Sequence, residues 1–279
     1  MCSCSAWERS EKNLVPSCNA LRQSRPISDP KFTELLNMGR LGAISVFLFY
    51  PSYNCLMCGR FTRKESLQHL ADLLGLKVIP SLLPRYNMAP SHMVACVRTN
   101  PETQEREFTE LKWGLVPSWA KDSSIGHTLI NARCETVADK PSFRHAFQQQ
   151  RCLVFADGFY EWKREGKTKQ PYYIRLKNGQ PFAFAGLWER WEKQEPALET
   201  CALITTSPNA LMKSLHNRMP VILPESAYAS WLNPRLHNTM YLGGLLEPYP
   251  ADEMEVFPVS PLVNNPQNDS PLCIQPLRS

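Results

Sequence analysis

Leu67, Leu70, Leu73 and Leu74 recur at the spacing of one apolar helix face and stop at Gly75, a residue suited to left-handed backbone. Thr62-Arg63-Lys64-Glu65, just upstream, has the form of a capping box, so the pattern predicts a helix opening there and closing at Gly75. Beyond it the apolar positions fall into short strand-like runs: 93–97, 108–115, 151–156, 172–176, 182–188, 202–206 and 256–259. Asn178-Gly179, between the fourth and fifth runs, predicts a hairpin. Asp157-Gly158 breaks the chain before Phe159-Tyr160-Glu161-Trp162-Lys163, which reads as a further strand carrying Glu161. Short helices are expected at 142–149, 209–216 and 225–232, two of them opened by a proline at or near the first helical position. Strands dominate, helices are interspersed and no βαβ alternation appears. The pattern predicts an α+β fold: a strand-rich single domain with a curved, barrel-like antiparallel sheet and several short helices.

Residues 1–56 have a different texture. They show neither helical period nor alternation, and their one apolar run, Leu41 to Tyr50, is about half of what a bilayer span needs. The expected organisation is therefore a poorly ordered extension at 1–56, an upstream start or a leader that is removed, followed by one domain at 57–279. No membrane association is expected.

Composition narrows the class without naming it. With 279 residues, 43% hydrophobic and 20% charged, the chain is an ordinary globular one, and its net charge of +5 permits a nucleic-acid partner without requiring one. The ten cysteines are irregularly spaced, and Cys96, Cys152 and Cys201 sit within apolar strand-like runs, where free cysteine behaves as a small hydrophobe. That usage points to a reducing, cytoplasmic setting. Apart from the close Cys2/Cys4 and Cys55/Cys58 pairs, cysteine and histidine do not cluster at structural-zinc spacing and the further ligands such a site needs are missing, so no metal is expected; nor is a cofactor, since the chemistry read below requires none.

The sharpest chemical signal is Met57-Cys58-Gly59-Arg60-Phe61, which reads as the start of a protein whose first mature residue is cysteine. A free N-terminal cysteine carries an amine titrating near ~7.7–8.0 and a thiol near ~8.5 on adjacent carbons. Together they can capture an aldehyde as a Schiff base and close a thiazolidine ring. An internal cysteine can do only the thiol half.

Five further segments accompany it: Arg85-Tyr86-Asn87-Met88-Ala89-Pro90, Trp113-Gly114-Leu115-Val116-Pro117-Ser118-Trp119, Asn131-Ala132-Arg133-Cys134-Glu135-Thr136, Phe155 to Lys163, and His216-Asn217-Arg218-Met219-Pro220. In this order the six resemble the motif series of the SRAP family, the SOS-response-associated peptidase or abasic-site processing proteins. The resemblance covers the chain from Met57 onward. It implies covalent trapping of abasic sites in single-stranded DNA, with Cys58 as nucleophile and Asn131, Glu161 and His216 completing its pocket. It further implies that Arg60, Trp119, Arg133 and Trp162 lie near the DNA, and Arg218 is expected there too from its place beside His216 in the sequence. A monomer is expected, with replication-fork proteins as further partners and nucleoid association when DNA is damaged.

The residue chemistry is compatible with these roles. Imine formation needs a proton taken from nitrogen and another given to the departing hydroxyl, traffic that a carboxylate and an imidazole can share. β-Elimination from the imine would cut the strand, so lyase activity is a natural side reaction. Each residue also has a plainer reading: Glu161 as an exposed strand residue, His216 as a helix C-terminal cap, Arg133 and Arg218 as ordinary solvated charges. Trp113, Trp188 and Trp231 are expected in the core, with Trp119 the expected base-stacking residue. Two other functions remain open: a non-covalent single-stranded-DNA binding module if residues 1–56 are retained, and a thiol peptidase acting on itself or on other chains.

Overall fold

The computed structural model describes residues 58–77, 80–166 and 168–277. The expectation for residues 1–56 lies outside them. Among the described residues, thirteen strands and four short α-helices follow one another, beginning with β1 (Phe61–Arg63), α1 (Gln68–Leu74), β2 (Arg85–Met88), β3 (Met93–Thr99), β4 (Arg106–Trp113), β5 (Asn131–Arg133) and α2 (Arg144–Gln149). The chain continues through β6 (Arg151–Ala156), β7 (Gly158–Glu165), β8 (Thr168–Leu176), β9 (Phe182–Trp191) and β10 (Leu198–Thr206). It ends with β11 (Met219–Pro220), β12 (Ile222–Leu223), α3 (Tyr228–Leu232), α4 (Thr239–Gly244) and β13 (Met254–Pro258).

One sheet runs β13-β8-β7-β1-β2, antiparallel throughout. In the other, β10-β4-β3-β6-β9 closes on itself through a β9–β10 pairing, so the predicted curved sheet is a five-stranded barrel. Closure departs from the antiparallel expectation at one seam, because β10 runs parallel to β4 and also to the short β5.

Alternate residues of the barrel strands feed two cores. Ala95, Val97, Leu153, Phe155, Ala185 and Ile204 pack with residues of the four helices, including Leu70, Phe147, Trp231 and Leu242. Val94, Cys96, Cys152, Val154 and Leu203 pack with Phe61, Phe159 and Ile174 of the five-stranded sheet. Phe61 meets Trp113 and Phe184 at ring-centroid distances of 5.1 and 5.7 Å, which fixes the strand that follows Cys58. Burying such a side chain fully is worth ~1.5–3 kcal/mol relative to leaving it exposed. Trp113, Trp188 and Trp231 are buried as expected, and Cys96, Cys152 and Cys201 are buried free thiols.

Three expectations are corrected. Asn178-Gly179 makes a turn, with Gly179 at φ +70° and its N–H on Leu176 O, but β8 and β9 lie in different sheets and form no hairpin. The hairpin rule presupposes alternating flanks, whereas β9 is buried on both faces from Phe182 to Glu189 and so belongs to the barrel. β8 pairs instead with β7, closing at Glu165 and Thr168 beside Gly166, whose φ is +63°. The capping box is absent too: Thr62 and Arg63 belong to β1, and α1 begins at Gln68 without a side-chain cap, although Gly75 does end it at φ +65°. Finally, the helix expected at 209–216 is only a 3₁₀ turn, Met212–Ser214, and α4 was not foreseen.

Asp157 instead anchors the segment between β1 and α1. Buried where the chain passes from β6 to β7, its carboxylate accepts the Thr62 hydroxyl and the N–H groups of Lys64, at 2.5 Å, and Glu65, at 2.8 Å. Thr62 Oγ1 also lies 2.8 Å from the Tyr173 hydroxyl. A side chain at position 158 would strike that hydroxyl, which accounts for the glycine.

Candidate active site

Cys58 stands just before β1 and Glu161 on the neighbouring β7, where Phe61 pairs with Phe159. Both are almost wholly buried, at 3% and 1% exposure, so the surface reading of Glu161 does not describe this protein. Glu161 Oε1 accepts the Cys58 backbone N–H at 2.9 Å and lies 3.0 Å from Cys58 Sγ. Burial pushes the Glu161 carboxyl above the usual carboxylate range, while nearby His216 and the hydrogen bonds from Cys58 pull it partly back. Cys58 itself has φ +46°, an unusual conformation for a residue with a side chain.

His216 arrives from the other sheet, on the loop between the 3₁₀ turn and β11. Its Nδ1 lies 3.1 Å from the Arg218 backbone nitrogen and 3.2 Å from the Arg218 carbonyl oxygen, so the Arg218 backbone holds the ring in place. Asn131 and Arg133 lie on β5 beside β10, opposite Leu203 and Thr205. Arg133 is exposed. Arg218 donates to the Thr205 carbonyl at 2.6 Å and forms a two-pronged pair with Glu135, whose hydrogen bonds hold that acid below its ordinary range.

Arg60 and Trp162 form a separate wall. Arg60 Nη1 donates to Asn87 Oδ1 at 2.8 Å and to Val263 O at 2.7 Å, and its guanidinium lies 5.9 Å from the Trp162 ring centroid. Trp162 Nε1 donates to Asn264 Oδ1 at 2.7 Å. Asn87, fully buried, donates to the carbonyls of Val263, Asn265 and Asn268. Asn87 lies within one of the six quoted segments but carried no assigned role, and its partners some 180 residues away left no mark in the sequence. Trp119, 54% exposed, stands apart on the loop before Ala120. Among the described residues, no group of three or more His, Cys, Asp or Glu is placed to hold a metal ion, and no helix is long and apolar enough to cross a membrane.

The family model described as SOS response associated peptidase (SRAP) matches residues 57–266. The chain belongs to the SRAP family. Among SRAP relatives it is 46% identical over 224 residues to abasic site processing protein YoqW of Bacillus subtilis, covering 78% of this chain and 99% of that one. It is 29% identical to YedK of Escherichia coli, covering 79% and 100%. With HMCES of Gallus gallus it shares 31% identity across 70% of this chain and 66% of the other. A crystal structure of a Bacteroides thetaiotaomicron protein superposes with TM-score 0.70 at 27% identity, covering 79% of this chain and all of that one. The SRAP match begins at Met57 and takes in Cys58, Glu161 and His216 together.

Proposed function

We propose that this SRAP protein processes abasic sites in single-stranded DNA by forming a covalent adduct through Cys58, after removal of everything that precedes it. The carrying observation is that both nucleophilic atoms of Cys58, N and Sγ, lie within 3.0 Å of one buried carboxylate oxygen, Glu161 Oε1. The names of the relatives, abasic site processing proteins, supply the substrate class.

The chemistry follows from that placement. With Cys58 N-terminal, its amine attacks the aldehyde of the ring-opened sugar, and Glu161 takes the proton that leaves nitrogen. The carbinolamine loses its hydroxyl as water when Glu161 or His216 returns a proton, leaving the imine. The Sγ–H then adds across the C=N bond, sulfur to carbon and proton to nitrogen, closing the thiazolidine. A carboxyl held above its ordinary pKa suits both the taking and the giving. β-Elimination from the imine is the competing exit and gives lyase activity. Asn131 offers a neutral hydrogen-bonding group for the sugar or phosphate, and Arg133 an exposed charge for the backbone.

The same contacts bear on how the amine is freed. A left-handed φ costs a residue with a side chain on the order of 1–3 kcal/mol, and at Cys58 that strain adjoins the bond to Met57. Attack by Sγ on that carbonyl, with Glu161 relaying the thiol proton to the departing nitrogen, would break the C–N bond and leave the preceding segment on sulfur as a thioester; water would then hydrolyse the thioester, releasing that segment as a carboxylic acid and restoring the thiol. This is a self-directed peptidase step.

Intact mass before and after incubation with an oligonucleotide bearing one abasic site tests the reading. Processed protein should have the mass of residues 58–279 and gain one oligonucleotide, less one water. Cys58→Ala should give no adduct while retaining DNA binding. An adduct that forms on Cys58→Ala, or on a chain still carrying residues 1–57, removes the N-terminal thiazolidine from the mechanism.

A further inference from the structure

The Trp162 side chain has one polar atom, and it is engaged. Its Nε1, a donor only, bonds the side-chain oxygen of Asn264 at 2.7 Å. Asn264 closes a 3₁₀ turn, Pro261–Asn264, in the segment that follows β13, and its backbone carbonyl accepts Arg60 Nη2 at 3.2 Å. One residue therefore holds the indole through its side chain and the guanidinium through its backbone. That segment is anchored without help from Trp162. The buried Asn87 amide donates to the carbonyls of Val263, Asn265 and Asn268 at 3.1, 3.0 and 2.8 Å. Asp269 accepts the N–H groups of Tyr86, at 2.5 Å, and Asn87, at 3.0 Å, and pairs with Arg85. Val263 and Cys273 are buried beneath it, whereas Asn264 is exposed and Trp162 half-buried. The three oxygens on Arg60, from Asn87, Val263 and Asn264, are all neutral, so its charge is left to meet a phosphate.

We propose that Asn264 is a positioning residue for Trp162: its side-chain oxygen fixes the indole beside Arg60, so that the ring is presented, already ordered and with no free donor, as a stacking surface for a DNA base. This rests on the single-stranded-DNA reading above. An indole free to turn would lose that freedom on every binding event, and a fixed one avoids the cost. With its N–H engaged, the ring offers a base only its π-face, and every base has a face to stack on it. A protein that meets abasic sites in any sequence needs that indifference.

Equilibrium binding of a labelled, undamaged single-stranded oligonucleotide to the full chain tests this, since no covalent step is involved. Trp162→Ala should weaken binding ~tenfold, the scale of one lost base–aromatic stack. Asn264→Ala, a truncation at an exposed position that leaves the fold intact, should weaken it ~threefold, the scale of immobilising one side chain anew. In a Trp162→Phe background, where the ring has no N–H to hold, adding Asn264→Ala should change nothing, because residues acting through one another are not additive. The slope of log Kd against log salt should stay at the wild-type value in Asn264→Ala, since the carbonyl that holds Arg60 survives the substitution. A slope smaller by ~0.7, one phosphate contact on a single strand, would show that the whole wall has come apart and overturns the assignment to Trp162. Effects that multiply in the double variant, or Asn264→Ala binding like wild type, or Trp162→Ala binding like wild type, overturn the inference and leave the DNA reading standing. A wild-type chain that does not bind the oligonucleotide overturns both.

Discussion

Asp157 and Glu161 are four residues apart on the same stretch of chain, both buried and both facing the segment that begins at Cys58, yet their surroundings differ in kind. Asp157 is surrounded by donors that stay put: two backbone N–H groups and the Thr62 hydroxyl. Glu161 has a nitrogen and a sulfur from one residue, both on a single oxygen, with a titratable imidazole nearby. The first arrangement locks a turn and offers no mobile proton. The second places a carboxyl where protons can enter and leave. Burial alone does not distinguish the two acids; the exchangeability of their donors does.

Two substitutions should separate the roles. The larger effect is on rate: Glu161→Gln keeps the shape but removes the proton carrier, and adduct formation by the processed protein should slow ~100-fold, the lower end of general acid–base contributions. Single-turnover crosslinking measures this, and a rate within a factor of two of wild type would remove Glu161 from the proton path. Asp157→Asn should do the reverse. Its amide cannot accept from all three donors, and a lost bond to a charged group costs ~1.5–3 kcal/mol, so the denaturation midpoint should fall while the folded fraction crosslinks at close to the wild-type rate. A large rate loss without lost stability would erase the distinction.

The long strands were legible because each is an apolar run bounded by turn residues, and Arg151–Ala156 was placed to the residue, whereas the short β1, β2, β5, β11 and β12 carry too few residues to show a pattern and were not read as strands. Their partners were not. The Asn178-Gly179 turn carries no record that β9 is needed in the barrel, and the parallel β4–β10 seam depends on closure of the whole sheet. The pocket divides the same way. Cys58 and Glu161 stand out chemically, one beside a methionine and one among aromatics, and His216 enters through the family resemblance. What surrounds Arg60 was invisible, because its partners Asn87 and Val263 lie 27 and 203 residues along the chain.

The smallest expected effect concerns pH, and it sharpens what sets Glu161 apart. Its folded pKa is raised, chiefly by burial, above the ~4.3 of an exposed glutamate. Folding therefore favours the protonated form, and the stability tied to that proton is complete below ~4.3 and lost as pH climbs through the raised value. Glu161→Gln carries no such proton. The stability of Glu161→Gln relative to wild type should thus increase as pH rises from ~4.3 through the folded pKa, by at most ~1.4 kcal/mol per unit, and then level off. Denaturant melts of both full-length proteins from pH ~4 to ~8 measure the difference directly. A flat difference would mean that Glu161 keeps an ordinary pKa despite its burial, with the donors on its oxygens offsetting the loss of water, and that it acts as a fixed anion rather than a proton carrier. A rising difference would place a protonatable carboxyl beside both nucleophilic atoms of Cys58, in the range where imine formation needs a proton delivered to the departing hydroxyl.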